Sequence, residues 1–595
     1  MIRYWLEKTW VQYTVLASIV AAAAYYWGFI FQFGYKFDWS VLYTENATYH
    51  LNFGVELLKA SLLTIKISVI SAVIALALGI TFGLGRLSTF KPMQALSGFY
   101  VEFFRNTPLL VQLFFWYFAL PQALPDGVRQ WLYSINFEFW VATVGLSVYT
   151  GSFMAEVIRA GLQSIPKGLL EAAYSSGLTY FQVLRRVILP IAFRNIIPPL
   201  GSEFLNNMKN SSLAIVVGVA ELCWQSQQVE SLTFRGFEAT TAATVLYLLI
   251  SLAISAIMNA VNRNLKVGSE TSRPFSRRIF GRVFAAVVVP VRRTAHLVTL
   301  RRGLPRSRQS LELTPMQAFW LRAGGRVWAV IVLAAKAALL ASLAYVLFVA
   351  VRGVVQLNWD VVFSNQRLLL IWRFPHGSEN EVLWGLGGLS MSIVMAVFAI
   401  VVSFPIGILA GVARTSGNKL CQIPATIYIE CIRGVPLIMV IFWTYFLIPI
   451  LTHTFIDVFW SASIALTVFT GAYLAEIVRS GIENIPPGQM EAALSTGLTY
   501  TQAMRKVILP QALKQMIPAI VGQFIAIFKD TSLAYIIGVL ELTFVAMGLN
   551  NRLMVHPFEV WVPVAVYYFV CCYAMSTVAR KLERHLSTDV VRLEM

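Results

Sequence analysis

Two lysines stand in stretches of this chain where a charge is costly. Lys209 and Lys529 lie well inside apolar runs, where an ionisable group costs about 2.5 to 3.5 kcal/mol on insertion scales and usually faces a partner or a cavity. Each opens a short polar cluster, Lys209-Asn210-Ser211 in one place and Lys529-Asp530-Thr531 in the other. The chemistry open to such clusters is non-covalent, an ammonium holding an anionic group and a carboxylate a cationic one. Asp530, where the first cluster has neutral Asn210, makes the two electrically unequal. Either these residues line a polar pathway, or each lysine pairs internally, for instance with Glu102 or Glu430, and braces a helix bundle.

Other charged residues come in local pairs. Glu102 with Arg105, Glu430 with Arg433, Glu156 with Arg159 and Glu476 with Arg479 are spaced i,i+3, so each pair shares a helix face if its helix continues. They read as ion pairs near a membrane edge, with contact to a bound molecule as the alternative. Trp116, Tyr117, Trp443 and Tyr445 read as interface anchors or packing. Cys223, Cys421, Cys431, Cys571 and Cys572 have neither CxxC nor His-paired spacing, and the histidines are scattered, so neither a metal site nor a disulfide framework is supported.

The elements that must carry these residues are membrane helices. At 595 residues, 57% hydrophobic and a mean hydropathy of +0.67, the chain is too apolar for a soluble globule. It reads as all-α and polytopic, with lipid as its surroundings. Spans are expected near Val11–Phe33, Leu62–Leu84, Leu109–Ala123, Trp140–Ile158, Ile196–Ala220 and Ala239–Met258. Six more follow near Val327–Val351, Leu389–Val412, Leu437–Leu451, Phe459–Val478, Ile517–Leu540 and Trp561–Ala579, about twelve in all. The first is too long for a signal-peptide core and is kept as a helix.

With 47 basic against 29 acidic residues the net charge is +18. Much of the excess lies between Arg263 and Arg308, where Glu270 is the one acid, so residues 263–325 read as a basic cytoplasmic linker between units 1–262 and 326–595. Within it Val283–Val291 is apolar but too short to cross. A basic run joining two membrane bundles is no sign of nucleic-acid binding. Basic residues fall on one side throughout if both termini are cytoplasmic.

The two units are copies. EAAYSSGLTYFQVLRRVILP, Glu171 to Pro190, returns as EAALSTGLTYTQAMRKVILP, Glu491 to Pro510, and TGSFMAEVIRAGLQSIPKG from Thr150 returns as TGAYLAEIVRSGIENIPPG from Thr470. Farther upstream, the run from Tyr100 to Leu109 answers that from Tyr428 to Leu437. In the repeated segment Glu171 or Glu491 opens a turn, Ala172-Ala173 or Ala492-Ala493 lets a neighbour come close, and Gly177 or Gly497 breaks the helix. A second amphipathic run is expected to close at Pro190 or Pro510, with Arg185, Arg186, Arg505 and Lys506 on its polar face. Both copies start on the same side, so the repeats are parallel, about an axis along the membrane normal, with a pathway between them.

On these residues the chain resembles the membrane subunits of ATP-binding-cassette importers of the type I fold, specifically the polar amino-acid permease family. The duplicated EAA segment carries the likeness to that importer class, and FFRNTPLL and KDTSLA narrow it. The likeness covers about Leu57 to Arg263 and Leu389 to Leu582, leaving out the leading helix of each half and the linker. Family members carry one unit per chain and pair up, so the tandem arrangement is a departure.

The resemblance implies a permease of the bacterial inner membrane whose ATP and Mg²⁺ are bound by a partner. No GxxxxGK[ST] occurs in the chain. Two separate ATPase subunits would each grip one EAA segment, through Glu171, Ala172, Ala173, Gly177 and Pro190 or Glu491, Ala492, Ala493, Gly497 and Pro510. An extracytoplasmic binding protein would deliver a polar amino acid, whose ammonium and carboxylate could exploit the inequality of Asn210 and Asp530. The competing reading is a secondary transporter of the major-facilitator kind, which also has two six-helix parallel halves. It calls for a GxxxDRxGRR-like loop where this chain has GRLSTFKPMQALSG.

Overall fold

The computed structural model describes residues 9–31, 33–266, 351–373 and 386–591, with scattered positions from 333 to 348. Val283–Val291 and nearly all of the linker lie outside the described residues, as does much of Val327–Val351. Among those described the chain is helical, apart from a two-residue antiparallel pairing of Trp372–Arg373 with Leu386–Gly387.

Among the described residues seven helices are long and apolar enough to cross a membrane, or eight if the bent pair Lys419–Gly434 and Leu437–Thr452 is one span. Five of the twelve expected spans do not reach that measure on their own, and Leu437–Leu451 is one of them, its helix of 16 residues passing only together with Lys419–Gly434. The leading helix Thr9–Tyr25 has 17 residues before a π-turn, Tyr26–Ile30. Leu109–Ala123 is short, and Val327–Val351 lies mostly outside the described residues. Leu189–Asn210 is diluted by Pro198, Pro199, Arg194 and Glu203.

Each half is built around a close pair of helices, Phe53–Arg86 against Phe137–Gln163 and Leu389–Thr415 against Val458–Glu483. Glycines four apart make the approach possible. A Cβ on Gly79 would lie 2.7 Å from the Met154 Cβ, and one on Gly411 2.6 Å from the Val478 Cβ. Against each pair lies a helix that breaks before a proline, Lys91–Asn106 before Pro108 and Lys419–Gly434 before Pro436. Proline denies the residue before it the α region. Thr107 and Val435 are accordingly extended, and in the second half the chain turns through 113°.

The expected spans Ile196–Ala220 and Ile517–Leu540 change character midway. Leu189–Asn210 and Leu509–Asp530 tighten into 3₁₀ turns, Ser211–Val217 and Thr531–Ile537, which stop at Gly218 and Gly538 with φ of 83° and 89°. Glu221 and Glu541, fully buried, then cap the helices Leu222–Thr233 and Leu542–Leu553. Tyr247 and Tyr568 donate their hydroxyls to these two carboxylates, and the helix N-termini add backbone N–H donors.

The halves interlock in one core that runs across both, with Phe114 and Phe118 of the first half against Trp561 of the second. The start of Gly236–Lys266 meets the middle of Leu437–Thr452, Phe237 lying 6.3 Å from Trp443. Its middle meets Gly434, whose carbonyl accepts the Ser251 hydroxyl at 2.6 Å. These two helices therefore run antiparallel. Tracing the chain from each to its own repeated segment puts both segments on the same side of the bundle.

The repeat also reaches into the leading regions, which the sequence reading left out. Asp38-Trp39 and Asn358-Trp359 stand at the same spacing as Thr150 and Thr470. The backbone N–H of Asp38 donates to Glu238 at 2.7 Å, and that of Asn358 to Glu559 at 3.0 Å. Tyr35 also donates to Glu238, and burial, followed by that bond, pushes its hydroxyl pKa up to about 12. The leading helix itself crosses over, since Gln12 accepts the Lys419 backbone N–H of the second half at 2.9 Å.

Candidate functional site

The repeated segments fold as hairpins of matching construction. In the first, Lys167–Ser175 ends with Gly177 at φ 77°, where the Gly177 N–H reaches the Tyr174 carbonyl and the Leu178 N–H the Ala173 carbonyl. This is a left-handed C-terminal cap. Thr179 and Gln182 then form a capping box that starts the next helix, and Thr499 and Gln502 do the same in the second half. Gly497, at φ 85°, repeats the turn.

Ala173 and Ala493 face inward, while Glu171, Ala172, Glu491, Ala492 and all four basic residues are exposed. The expectation that Pro190 and Pro510 close the second run does not hold. A π-turn, Leu184–Ile188 or Met504–Ile508, stands just before each proline and the helix continues into the bundle. The wider turn, closed by the N–H of Leu189 or Leu509, accommodates a residue that has no N–H of its own.

At the bundle end of these helices a cavity of about 260 Å³ lies between the halves. Lys209, Asn210, Lys529 and Asp530 line it. Each lysine crosses the seam. The Lys209 ammonium donates to the Arg433 carbonyl at 2.8 Å and the Tyr473 hydroxyl at 3.2 Å, and that of Lys529 to the Arg105 carbonyl at 2.8 Å. Each accepting carbonyl ends a helix that stops before proline, where carbonyls lack intrahelical partners and a cation is favoured. The lysines thus line the cavity and brace it at once, though their acceptors are backbone oxygens and, for Lys209, also the Tyr473 hydroxyl, and not Glu102 or Glu430.

The other expected residues sort by distance from the cavity. Ser211 and Thr531 are buried outside it, donating to the Met208 and Phe528 carbonyls, while their neighbours Ser212 and Ser532 line it. Glu102, Arg105, Glu430 and Arg433 do not line it, and Glu102–Arg105 and Glu430–Arg433 are not ion pairs. Glu102 lies 3.9 Å from Arg86, and Glu430 lies 2.5 Å from Arg414. The pairs Glu156–Arg159 and Glu476–Arg479 do form, each joined by an arginine of the helix packed against it, Arg86 at 2.7 Å and Arg414 at 3.1 Å. Arg105 lies over the Phe153 ring at 5.2 Å, and Arg433 lies over the Tyr473 ring at 5.3 Å and 3.5 Å from Glu476.

Glu203, Asn206 and Gln523 are among the polar lining residues that the sequence did not single out. Their signal was helical spacing, since Glu203, Asn206 and Asn210 fall at i, i+3 and i+7 on one face. In the second copy the same face carries Gln523, Ala526 and Asp530. One carboxylate therefore comes from each half but from a different register, and with two lysines the cavity holds balanced charge.

Two copies of one helical unit, meeting around a charged cavity and presenting equal hairpins on one side, define a two-halved membrane permease. The chain belongs to the family of binding-protein-dependent transport system inner membrane components, whose model matches it twice, over residues 72–267 and 403–588. A probable glutamine ABC transporter permease protein of Bacillus subtilis is 41% identical over 203 residues, which are 34% of this chain and 90% of that protein. A glutamate/aspartate import permease protein of Escherichia coli is 35% identical over 208 residues, 34% of this chain and 85% of that protein. A crystal structure of an amino acid ABC transporter with histidines is 30% identical with a TM-score of 0.32, covering 37% of this chain and 99% of that one. One relative thus corresponds to one half.

Proposed function

We propose that this chain forms the membrane pathway of an ATP-driven importer for polar amino acids and supplies both halves of that pathway. The hairpin side faces the cytoplasm of a bacterium, both termini included, and the opposite side faces outward. Two ATPase subunits each grip one hairpin, and an extracytoplasmic binding protein delivers the solute. Drawing the ATPase pair together moves the hairpins and tilts the bundles, so the cavity changes the side to which it opens. In the cavity Lys209 and Lys529 suit a solute carboxylate, and Glu203 and Asp530 suit its ammonium.

The observation that carries this reading is the pair of exposed hairpins of equal construction on one side of the bundle. A proton-driven transporter has no use for such a pair. The amino-acid assignment draws on the names of the relatives and on the balanced charge of the cavity. The test is uptake of labelled amino acids by proteoliposomes holding the chain with its ATPase and binding protein. Uptake that needs ATP and stops when both hairpin glutamates become lysine supports the reading; uptake that follows a proton gradient without ATP defeats it.

A further inference from the structure

On the side opposite the hairpins the first half carries an element that the second lacks. The helix Asp126–Ser134 stands between Leu109–Ala123 and Phe137–Gln163. The second half joins the equivalent helices, Leu437–Thr452 and Val458–Glu483, through His453–Asp457 alone. None of the nine residues of the extra helix is buried. A helix so short is marginal in water by itself, so it needs a surface to lie on.

Its sequence divides into two faces. Val128, Trp131, Leu132 and the capping Ile135 fall at i, i+3, i+4 and i+7, and Asp126, Arg129, Gln130 and Tyr133 repeat that spacing on the other face. On the polar face Arg129 pairs with Asp126, and Tyr133 packs edge-on against Phe137 at 4.9 Å. The apolar face stays open, with Val128 46% and Trp131 60% exposed.

The depth of the helix says what meets that face. Two residues tether it on each side, Leu124-Pro125 and Ile135-Asn136. From the hairpin end at Gln163, the 27 residues back to Phe137 span about 40 Å, close to the roughly 40 to 45 Å of a bilayer with both headgroup layers. The short tethers therefore hold the helix in the headgroup layer. Amphipathic helices lie flat at that boundary with their apolar face towards the acyl chains, and tryptophan favours the same level.

We infer that Asp126–Ser134 is a mooring in the leaflet opposite the hairpins, with Val128, Trp131 and Leu132 seated in phospholipid. It holds the first half alone to that surface. Because Asp126 and Arg129 neutralise each other, zwitterionic and anionic phospholipids serve it equally. The inference needs the chain to cross a membrane and is independent of what the chain carries.

The test places the photoreactive residue p-benzoylphenylalanine at Trp131 in one variant and at Gln130 in another. Each full-length variant is irradiated in nanodiscs of phosphatidylcholine, with and without phosphatidylglycerol, and its adducts are measured by mass spectrometry. The expected result is at least about fivefold more phospholipid adduct from position 131 than from position 130, in both lipid mixtures. No excess at 131, whether both positions label lipid or neither does, overturns the inference. Adducts at 131 that pass from lipid to an added amino-acid-binding protein assign the face to a protein partner and overturn it too. So does an excess that appears only with phosphatidylglycerol, which would make the contact one of charge and not of the apolar face.

Discussion

The hairpins and the cavity come from the same duplicated helices and have been treated in opposite ways. Along the hairpins the copies agree almost residue for residue: Glu171 with Glu491, Gly177 with Gly497, Thr179 with Thr499, Arg185 with Arg505. The turns, caps and exposures agree as well. At the cavity, only a few helical turns along the same helices, Glu203 answers Gln523, Asn206 answers Ala526 and Asn210 answers Asp530, while Lys209 and Lys529 stay the same. The two exposed hairpins are held equal, while the cavity that both copies share has diverged. The lysines resist divergence because each also closes the other half's helix end.

The largest effect should come from breaking the equality of the hairpins. Glu171→Lys together with Glu491→Lys is expected to cut ATP-driven uptake at least about a hundredfold, equivalent to about 2.7 kcal/mol. Membrane insertion should be unchanged, and undiminished uptake would count against a docking role. Next, Lys209→Met or Lys529→Met leaves a helix-end carbonyl buried without its donor, at about 1 to 3 kcal/mol. Each is expected to lower uptake by roughly ten- to a hundredfold and also to lower the melting temperature of the complex. Loss of uptake with no loss of thermal stability would mean that the lysines bind solute without bracing the halves.

A smaller effect sharpens the asymmetry. Asp530→Asn is expected to change the ratio of cationic to neutral amino-acid uptake by about tenfold, as loss of one charge-assisted contact of ~1.4 kcal/mol would. Asn210→Asp should change it less, and equal effects would mean that the two registers are interchangeable. Smallest of all, Gly177→Ala or Gly497→Ala forces a Cβ into a left-handed turn at about 1 kcal/mol each. The two penalties should be equal and additive in thermal unfolding, since the turns are separate.

What could be read from the chain alone was whatever repeats or punctuates. Gly177 and Gly497 announced their turns, the prolines at 108 and 436 marked the breaks, and the apolar runs located most of the helices. What could not be read was partner choice across the seam. Lys209 and Lys529 end on backbone carbonyls, which every residue owns and no side-chain pattern reveals. Glu102 and Glu430 prefer the arginine of the preceding helix to the one three residues on, because helix packing brings Arg86 and Arg414 alongside. The π-turns before Pro190 and Pro510 were hidden for another reason: proline in sequence suggests an end, and only the widened turn lets the helix pass through it.

Those π-turns set how far a movement can travel. From Tyr500 to Ile537 the second half has one helical element of 38 residues, about 57 Å long at the rise of an α-helix. Its two ends are the hairpin and the floor of the cavity. A push received at one end has no hinge at the proline in which to dissipate. On the proposed reading it would arrive at Lys529 as a swing of the whole shaft and bear on the hydrogen bond that this lysine makes to the Arg105 carbonyl.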